Sequence, residues 1–202
     1  MAADKRGTLV VISAPSGAGK TTIARAIMER NPSLMFSVSA TTRPKRAGEV
    51  EGRDYYFLTP EEFKRRADAG EFVEWEEVYG YYYGTLKKEV ERILQAGRTV
   101  VFDVDVNGGL SIKHHYPEAV LIFVTPPSME VLKERLVKRG TESEDTLHKR
   151  LDRVPMELEK GKRFDYQVVN DVLERAITAV QKIVERHLEL VKDTNKGSTL
   201  CH

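Results

Sequence analysis

Residues Thr8 to Thr22, TLVVISAPSGAGKTT, constrain this chain more than any other stretch of its 202 residues. Leu9 to Ile12 is an unbroken apolar run rich in β-branched residues, which reads as a strand buried on both faces. Ala14-Pro15-Ser16-Gly17-Ala18-Gly19 cannot continue it, because Pro15 has no donor and the glycines favour a turn. Lys20-Thr21-Thr22 then opens a helix carried by Ile23, Ala24, Ala26, Ile27 and Met28. Such a strand, loop and helix N-terminus turn several main-chain N–H groups toward one point. The helix dipole adds positive potential there, so the stretch predicts an anion cradle.

The spacing matches the P-loop pattern with one substitution. Ala14 stands where the pattern has its first glycine, while Gly19-Lys20-Thr21 is intact. A cradle of this kind predicts that Lys20 bridges β- and γ-phosphates and that the Thr21 hydroxyl faces a Mg²⁺ ion. An ordinary glycine-rich turn with an exposed lysine is the competing interpretation. The buried strand before the loop and the helix after it favour the cradle.

Bulk properties narrow the remaining choices. Thirty-two Lys and Arg nearly cancel 31 Asp and Glu, a net charge of +1, which argues against binding nucleic acid or membranes by bulk charge. The single cysteine, Cys201, excludes an intrachain disulfide and fits a reducing compartment. Met1 to Gly7 does not resemble a signal peptide, and no apolar run approaches membrane-spanning length. The expectation is a soluble, cytoplasmic protein with no nucleic-acid or membrane partner, and monomer or homodimer is left open.

Along the chain, strands and helices alternate. Phe36 to Ser39 reads as one short strand, Thr41 to Arg53 as a polar loop, and Tyr55 to Phe57 as a strand. Pro60 begins a helix with Thr59 as its N-cap. Phe72 to Trp75 and Tyr81 to Tyr83 are strand-like, and a helix ending at Gly97 follows. Thr99 to Asp103 and Val120 to Val124 return to the buried-strand pattern, and Gly108-Gly109 lets a helix start close to the sheet. Thr141 and Glu144 have capping-box spacing, Tyr166 to Val169 is a last strand, and Ile177 to Val191 is amphipathic at period 3.6, with a frayed tail from Asp193. This order predicts an α/β fold: a P-loop-type parallel sheet flanked by helices, with its ligand site at the carboxyl ends of the strands. The aromatic stretch from about 39 to 90 reads as a small mixed insertion over that rim.

Several side chains fit phosphoryl transfer. Asp103 ends an apolar strand as a Walker-B carboxylate does and would hold Mg²⁺ beside Thr21, unless it merely caps a strand. Asp105, two residues on, falls on the same side. Arg43, Lys45 and Arg46 sit in a loop near Ser39, Tyr55, Tyr83 and Thr85, a set suited to a dianionic phosphate, though loop cations are commonly just solvated. Arg135 and Arg139 share a helical face, and Arg150 follows an acidic link. Cations on a closing lid would stabilise the charge of a phosphoryl group in flight, while a charged surface helix is the plainer alternative. Glu74, flanked by apolar residues, could accept from the two adjacent donors of guanine or could face solvent.

Gly19-Lys20-Thr21, FSVSATTRPKRAGEVEGRDY (Phe36 to Tyr55), FVEW (Phe72 to Trp75), YYGT (Tyr82 to Thr85), DVDVNG (Asp103 to Gly108), RLVKRGT (Arg135 to Thr141) and VND (Val169 to Asp171) together resemble guanylate kinase over nearly the whole chain. The resemblance implies one domain of a P-loop nucleoside monophosphate kinase that passes the γ-phosphoryl of ATP to GMP with Mg²⁺. Its core would be 1–38, 91–126 and 165–202, its GMP-binding region 39–90 and its helical lid 127–164. It implies that Ser39, Arg43, Arg46, Tyr55 and Tyr83 hold the GMP phosphate, and that Glu74, Thr85 and Asp105 recognise guanine. Residues Ala14, Pro15, Ser16, Gly17, Ala18, Gly19, Lys20, Thr21 and Thr22 would bind the ATP phosphates, and Asn170 would lie at the adenine end. Lys20, Arg43, Arg135, Arg139 and Arg150 would serve transfer, and Thr21 and Asp103 the metal. Val106-Asn107 departs from the family pattern after Asp105, and Pro155 should kink the lid helix.

Overall fold

The computed structural model describes residues 7–138 and 144–197. In chain order they form β1 (Leu9–Ser13), α1 (Lys20–Arg30), β2 (Leu34–Phe36), β3 (Ser39–Thr41), β4 (Tyr56–Phe57), α2 (Pro60–Asp68), β5 (Phe72–Val78) and β6 (Tyr81–Leu86). Then come α3 (Lys87–Gln95), β7 (Thr99–Asp103), α4 (Val106–His115), β8 (Val120–Thr125), α5 (Met129–Lys138), α6 (Glu144–Gly161), β9 (Tyr166–Val169) and α7 (Leu173–Gly197).

The apolar run after Thr8 becomes the middle strand of a five-stranded parallel sheet, ordered β2-β7-β1-β8-β9. Its alternate residues feed two cores. Val10 and Ile12 pack with Ile23 and Ile27 of α1 and Ile177 and Val180 of α7. Leu9 and Val11 pack with Val90 and Ile93 of α3 and Ile112 of α4. Each such side chain, once fully buried, contributes about 1.5–3 kcal/mol, and the two covered faces explain why β1 shows no polar alternation. The expected α/β sheet flanked by helices is the fold observed.

A second, mixed sheet, ordered β4-β3-β6-β5, carries the aromatic stretch. Thr59 caps α2 by accepting from the Glu62 N–H at 3.2 Å, and Phe63 of that helix stacks on Phe72 and Tyr82 at 4.4 and 5.5 Å. The sheet therefore has one covered face and one facing the rim of the parallel sheet.

Four local readings change. Phe36 to Ser39 is not one strand: β2 ends at Phe36 beside Val101, and β3 starts at Ser39 in the other sheet. Between them the Ser37 N–H still donates to the Val101 carbonyl at 2.9 Å, so the chain changes partner within two residues. Tyr55 precedes β4 and makes only an isolated bridge to Glu51. Gly108 and Gly109 lie inside α4; a Cβ on Gly109 would come within 2.7 Å of the Phe164 ring, so they serve close packing. Past Asp193, α7 continues to Gly197. Pro155 lies inside α6, whose span is uninterrupted. The Thr141–Glu144 cap, Gly140, Arg139 and Cys201 lie outside the described residues or their side chains do. Among the described residues, no helix is long and apolar enough to cross a membrane.

Candidate active site

The P-loop closes on itself before α1 begins. The Ala18 N–H donates to the Pro15 carbonyl at 3.0 Å, and Gly17 and Gly19 take φ of 89° and 97°, which L side chains rarely adopt. Gly19 is doubly required, because a Cβ there would collide with the Asn170 amide. Asn170 is 3% exposed and sits behind the loop, donating to the Ala18 carbonyl at 2.7 Å. Arg135 donates to the Asn170 carbonyl at 3.0 Å, so both residues brace the loop from outside its cavity. The cavity itself is lined by Ala14, Pro15, Ser16, Gly17, Gly19, Lys20 and Thr21; Ala18 is buried and Thr22 is exposed away from it.

At the end of β7, Asp103 meets the start of α1. The Thr21 hydroxyl donates to Asp103 Oδ2 at 2.7 Å, and Lys20 Nζ lies 2.7 Å from Oδ1. Lys20 also donates to the Val104 carbonyl at 3.0 Å. Burial opposes the Lys20 charge, but Asp103 outweighs it and holds the ammonium above its ordinary pKa. A hydroxyl and one carboxylate are hard oxygen donors of the kind that hold a magnesium ion together with phosphate oxygens and water.

Strand register builds the second half of the site. Ser39 pairs with Thr85, and Thr85 pairs with Glu74, so one row across β3, β6 and β5 sets these three side by side. The next row is Thr41, Tyr83 and Glu76. By the two-residue period, both rows share the face turned toward the P-loop. The opposite face carries Trp75, 51% exposed, and Tyr82. Burial raises the Glu74 carboxyl to about 7; the Thr85 hydroxyl and main chain pull down, and nearby Asp105 pushes up. The Thr85 hydroxyl is fully buried beside that carboxyl. Gly108 lets α4 approach: a Cβ there would lie 2.9 Å from Glu74 Oε2.

Two cavities, about 320 and 190 Å³, adjoin along Lys20, Tyr55, Val78, Tyr83 and Asp105. The larger also reaches Arg43, Arg46, Arg150, Arg153 and Glu157; the smaller holds Ser39, Glu74 and Glu76. Arg43 is only 8% exposed. It donates to Glu49 at 2.7 Å and to the Pro44 carbonyl at 2.8 Å, and its guanidinium lies 5.4 Å from the Tyr55 ring centre. The Arg46 N–H donates to the other Glu49 oxygen at 2.7 Å, so one carboxylate shapes the arginine loop. Tyr55 and Tyr83 meet edge-on at 6.1 Å. Arg150 donates to the Ser16 hydroxyl at 3.0 Å. Asp105 caps α4 through the Gly108 N–H at 2.8 Å and accepts from Arg153 at 3.1 Å. Glu157 is buried and raised by that burial, with Arg153 and the Ser16 main chain pulling the other way.

Sequence reasoning missed Glu49, Glu76, Tyr79, Arg153 and Glu157. Three carried a usable signal: Glu76 is two residues from Glu74 on one strand, Arg153 three from Arg150 and Glu157 four from Arg153 on one helix.

A P-loop held by Asp103, facing arginines and a carboxylate-lined pocket on an inserted sheet, defines a P-loop kinase of small nucleotides. The family model described as guanylate kinase matches residues 6–187. The chain belongs to the guanylate kinase family. It is 48% identical over 179 residues to the guanylate kinase of Symbiobacterium thermophilum, covering 89% of this chain and 85% of that relative. It is 50% identical to the guanylate kinase of Porphyromonas gingivalis, covering 89% and 97%. The crystal structure of guanylate kinase from Anaplasma phagocytophilum is similar with a TM-score of 0.72 at 31% identity, covering 90% of this chain and 86% of that one.

Proposed function

We propose that the chain transfers the γ-phosphoryl group of ATP to GMP and dGMP, giving ADP and the corresponding diphosphate. The P-loop holds the ATP phosphates, and Lys20 leaves Asp103 to bridge the β- and γ-phosphates. Ser39, Arg43, Arg46, Tyr55 and Tyr83 hold the GMP phosphate, while Glu74, Thr85 and Asp105 take the guanine edge. A phosphate oxygen of GMP attacks the γ-phosphorus as the bond to ADP breaks; no base is needed, so positioning and charge do the catalysis. Arg150 on α6 stabilises the charge in flight from its place beside Ser16. By resemblance to the family Arg135 and Arg139 would join it, Arg135 on leaving the Asn170 carbonyl that holds it behind the loop. Thr21 and Asp103 would hold Mg²⁺ arriving with ATP, which neutralises the phosphate charge. Residues 39–90 act as the GMP-binding region and 127–164 as the lid.

The observation that carries this reading is the junction of the two cavities, which sets the P-loop within one continuous space of the half-buried Glu74 carboxylate. Guanine offers adjacent N1–H and amino donors to that acceptor, whereas adenine offers an acceptor and strands it, at about 1–3 kcal/mol or more for a charged group. An assay of ADP formation with GMP, dGMP, AMP and UMP tests it. Turnover with GMP, slower turnover with dGMP and very little with AMP are expected; equal rates for AMP and GMP would remove Glu74 from its role.

A further inference from the structure

The inserted sheet and α6 touch each other directly across the cleft, and Glu76, Tyr79 and Arg153, which make the contact, have no part in the transfer chemistry proposed above. Glu76 Oε1 accepts from Asn107 Nδ2 at 3.0 Å and from Arg153 Nη2 at 3.4 Å. The same Arg153 nitrogen donates to Asp105 at 3.1 Å, and Arg153 Nε lies 3.7 Å from Glu157. Lys160, two turns further along α6, donates to Asn107 Oδ1 at 2.5 Å. At the tip of the β5–β6 hairpin, Tyr79 takes a φ of 53°, and its ring centre lies 5.6 Å from Arg150 and 5.8 Å from Arg153.

Two partly buried carboxylates, Glu76 and Asp105, face each other here, and burial followed by that neighbour raises Glu76 to about 7. Such a pair is costly without a shared cation. The cation comes from the other side of the cleft. Withdrawing α6 would leave the pair without Arg153, so Glu76 would have to take up a proton or repel Asp105, and either cost favours the approach of the helix. Arg150 stands three residues before Arg153, on the same helical face, and reaches the P-loop at Ser16. The helix that answers the carboxylates therefore also delivers the arginine.

We propose that Glu76 and Arg153 are positioning residues. Their contact ties the base pocket to α6 and so holds Arg150 at the P-loop. Glu76 has the central part, because guanine bound at Asp105 competes for one of the Arg153 partners across the cleft and Glu76 retains the other, while Glu157 holds Arg153 from within α6. The Asn107–Lys160 bond keeps Glu76 aimed and fastens the next part of α6. This inference rests on the reading of the base pocket given above.

A double-mutant cycle on the full chain tests it, using Glu76→Ala, Arg153→Met and the pair, with Glu76→Gln as the conservative variant. Each single change is expected to lower kcat about tenfold, with a change of less than about threefold in the KM for ATP, and the double variant to be no worse than the worse single. Glu76→Gln, which keeps an acceptor for Asn107 and Arg153, should recover most of the loss. A structural defect would instead lower the active fraction in all variants alike and would not be rescued. Without any nucleotide, spin labels at exposed Lys64 and Lys162 in a Cys201→Ser background should report a longer and broader distance in Arg153→Met than in the parent. Multiplicative losses in the double variant, or an unchanged label distance, overturn the proposal. Failure of the parent to use GMP would instead overturn the base-pocket reading, and the label distances would still decide this one.

Discussion

Glu74 is poised between two costs. Its carboxyl is raised to about 7 because burial disfavours the charge, yet the guanine contact proposed above would require the charged, acceptor-only form. Binding of GMP should therefore release a proton near neutrality. Between pH 8 and pH 6 GMP affinity should fall by roughly tenfold through this group, seen by calorimetry in buffers of different ionisation enthalpy. The phosphate of GMP titrates equally in Glu74→Gln, whose affinity is low throughout, so the difference isolates Glu74. The same burial acts on stability. A carboxyl raised in the folded state contributes most below its unfolded value of about 4.5 and loses that contribution as pH rises through 7. At pH 8 the nucleotide-free Glu74→Gln variant should therefore be more stable than the parent by on the order of 1–3 kcal/mol, several degrees in Tm. For Lys20→Met the expectation is opposite in kind: kcat drops 100-fold or more while calorimetric GMP affinity stays close to the parent's, because the arginine loop is separate. Glu74 and Lys20 were legible in the sequence, since apolar flanks and fixed P-loop spacing are local signals. Arg153 and Glu157 were legible only as sharing a helical face with Arg150, because what that face meets is set by how α6 crosses the cleft.

At the level of elements, register does what single residues cannot. Ser39, Thr85 and Glu74 lie far apart in the chain, and only the pairing of β3, β6 and β5 makes them one row. The sequence pattern carried β5 and β6 but neither β3 as a strand of its own nor the alignment of the three, nor the shift between Phe72 and Glu74 that sends Val73 into the other core. The same limit explains Phe36 to Ser39: alternation within four residues carries no mark of a change of sheet. In α6, Pro155 is exposed and lacks the N–H that its helical position calls for. Pro155→Ala should stabilise the chain by about 1–3 kcal/mol, measured by denaturant midpoint, because it restores a bond without removing buried surface. The P-loop, by contrast, was readable down to its glycines, since its geometry is closed within six residues.

Across the whole molecule, the site lies where two sheets and one helix converge, so occupancy should stiffen all three. GMP at 100 times its Kd should add about 2.7 kcal/mol, near 5–10 °C in Tm by calorimetry, and Glu74→Gln should lose that gain. The strand order β2-β7-β1-β8-β9 has a consequence for how the chain is made. The P-loop strand β1 is made well before its two neighbours, which span residues 99–103 and 120–125. Until both have been synthesised, an apolar ribbon waits without partners on either side, and closing those distant pairs is slow and exposed to misassembly. Fragments ending before residue 99 should be insoluble or captured by chaperones instead of weakly active, so the loop after β1 matures only once strands translated long after it are in place.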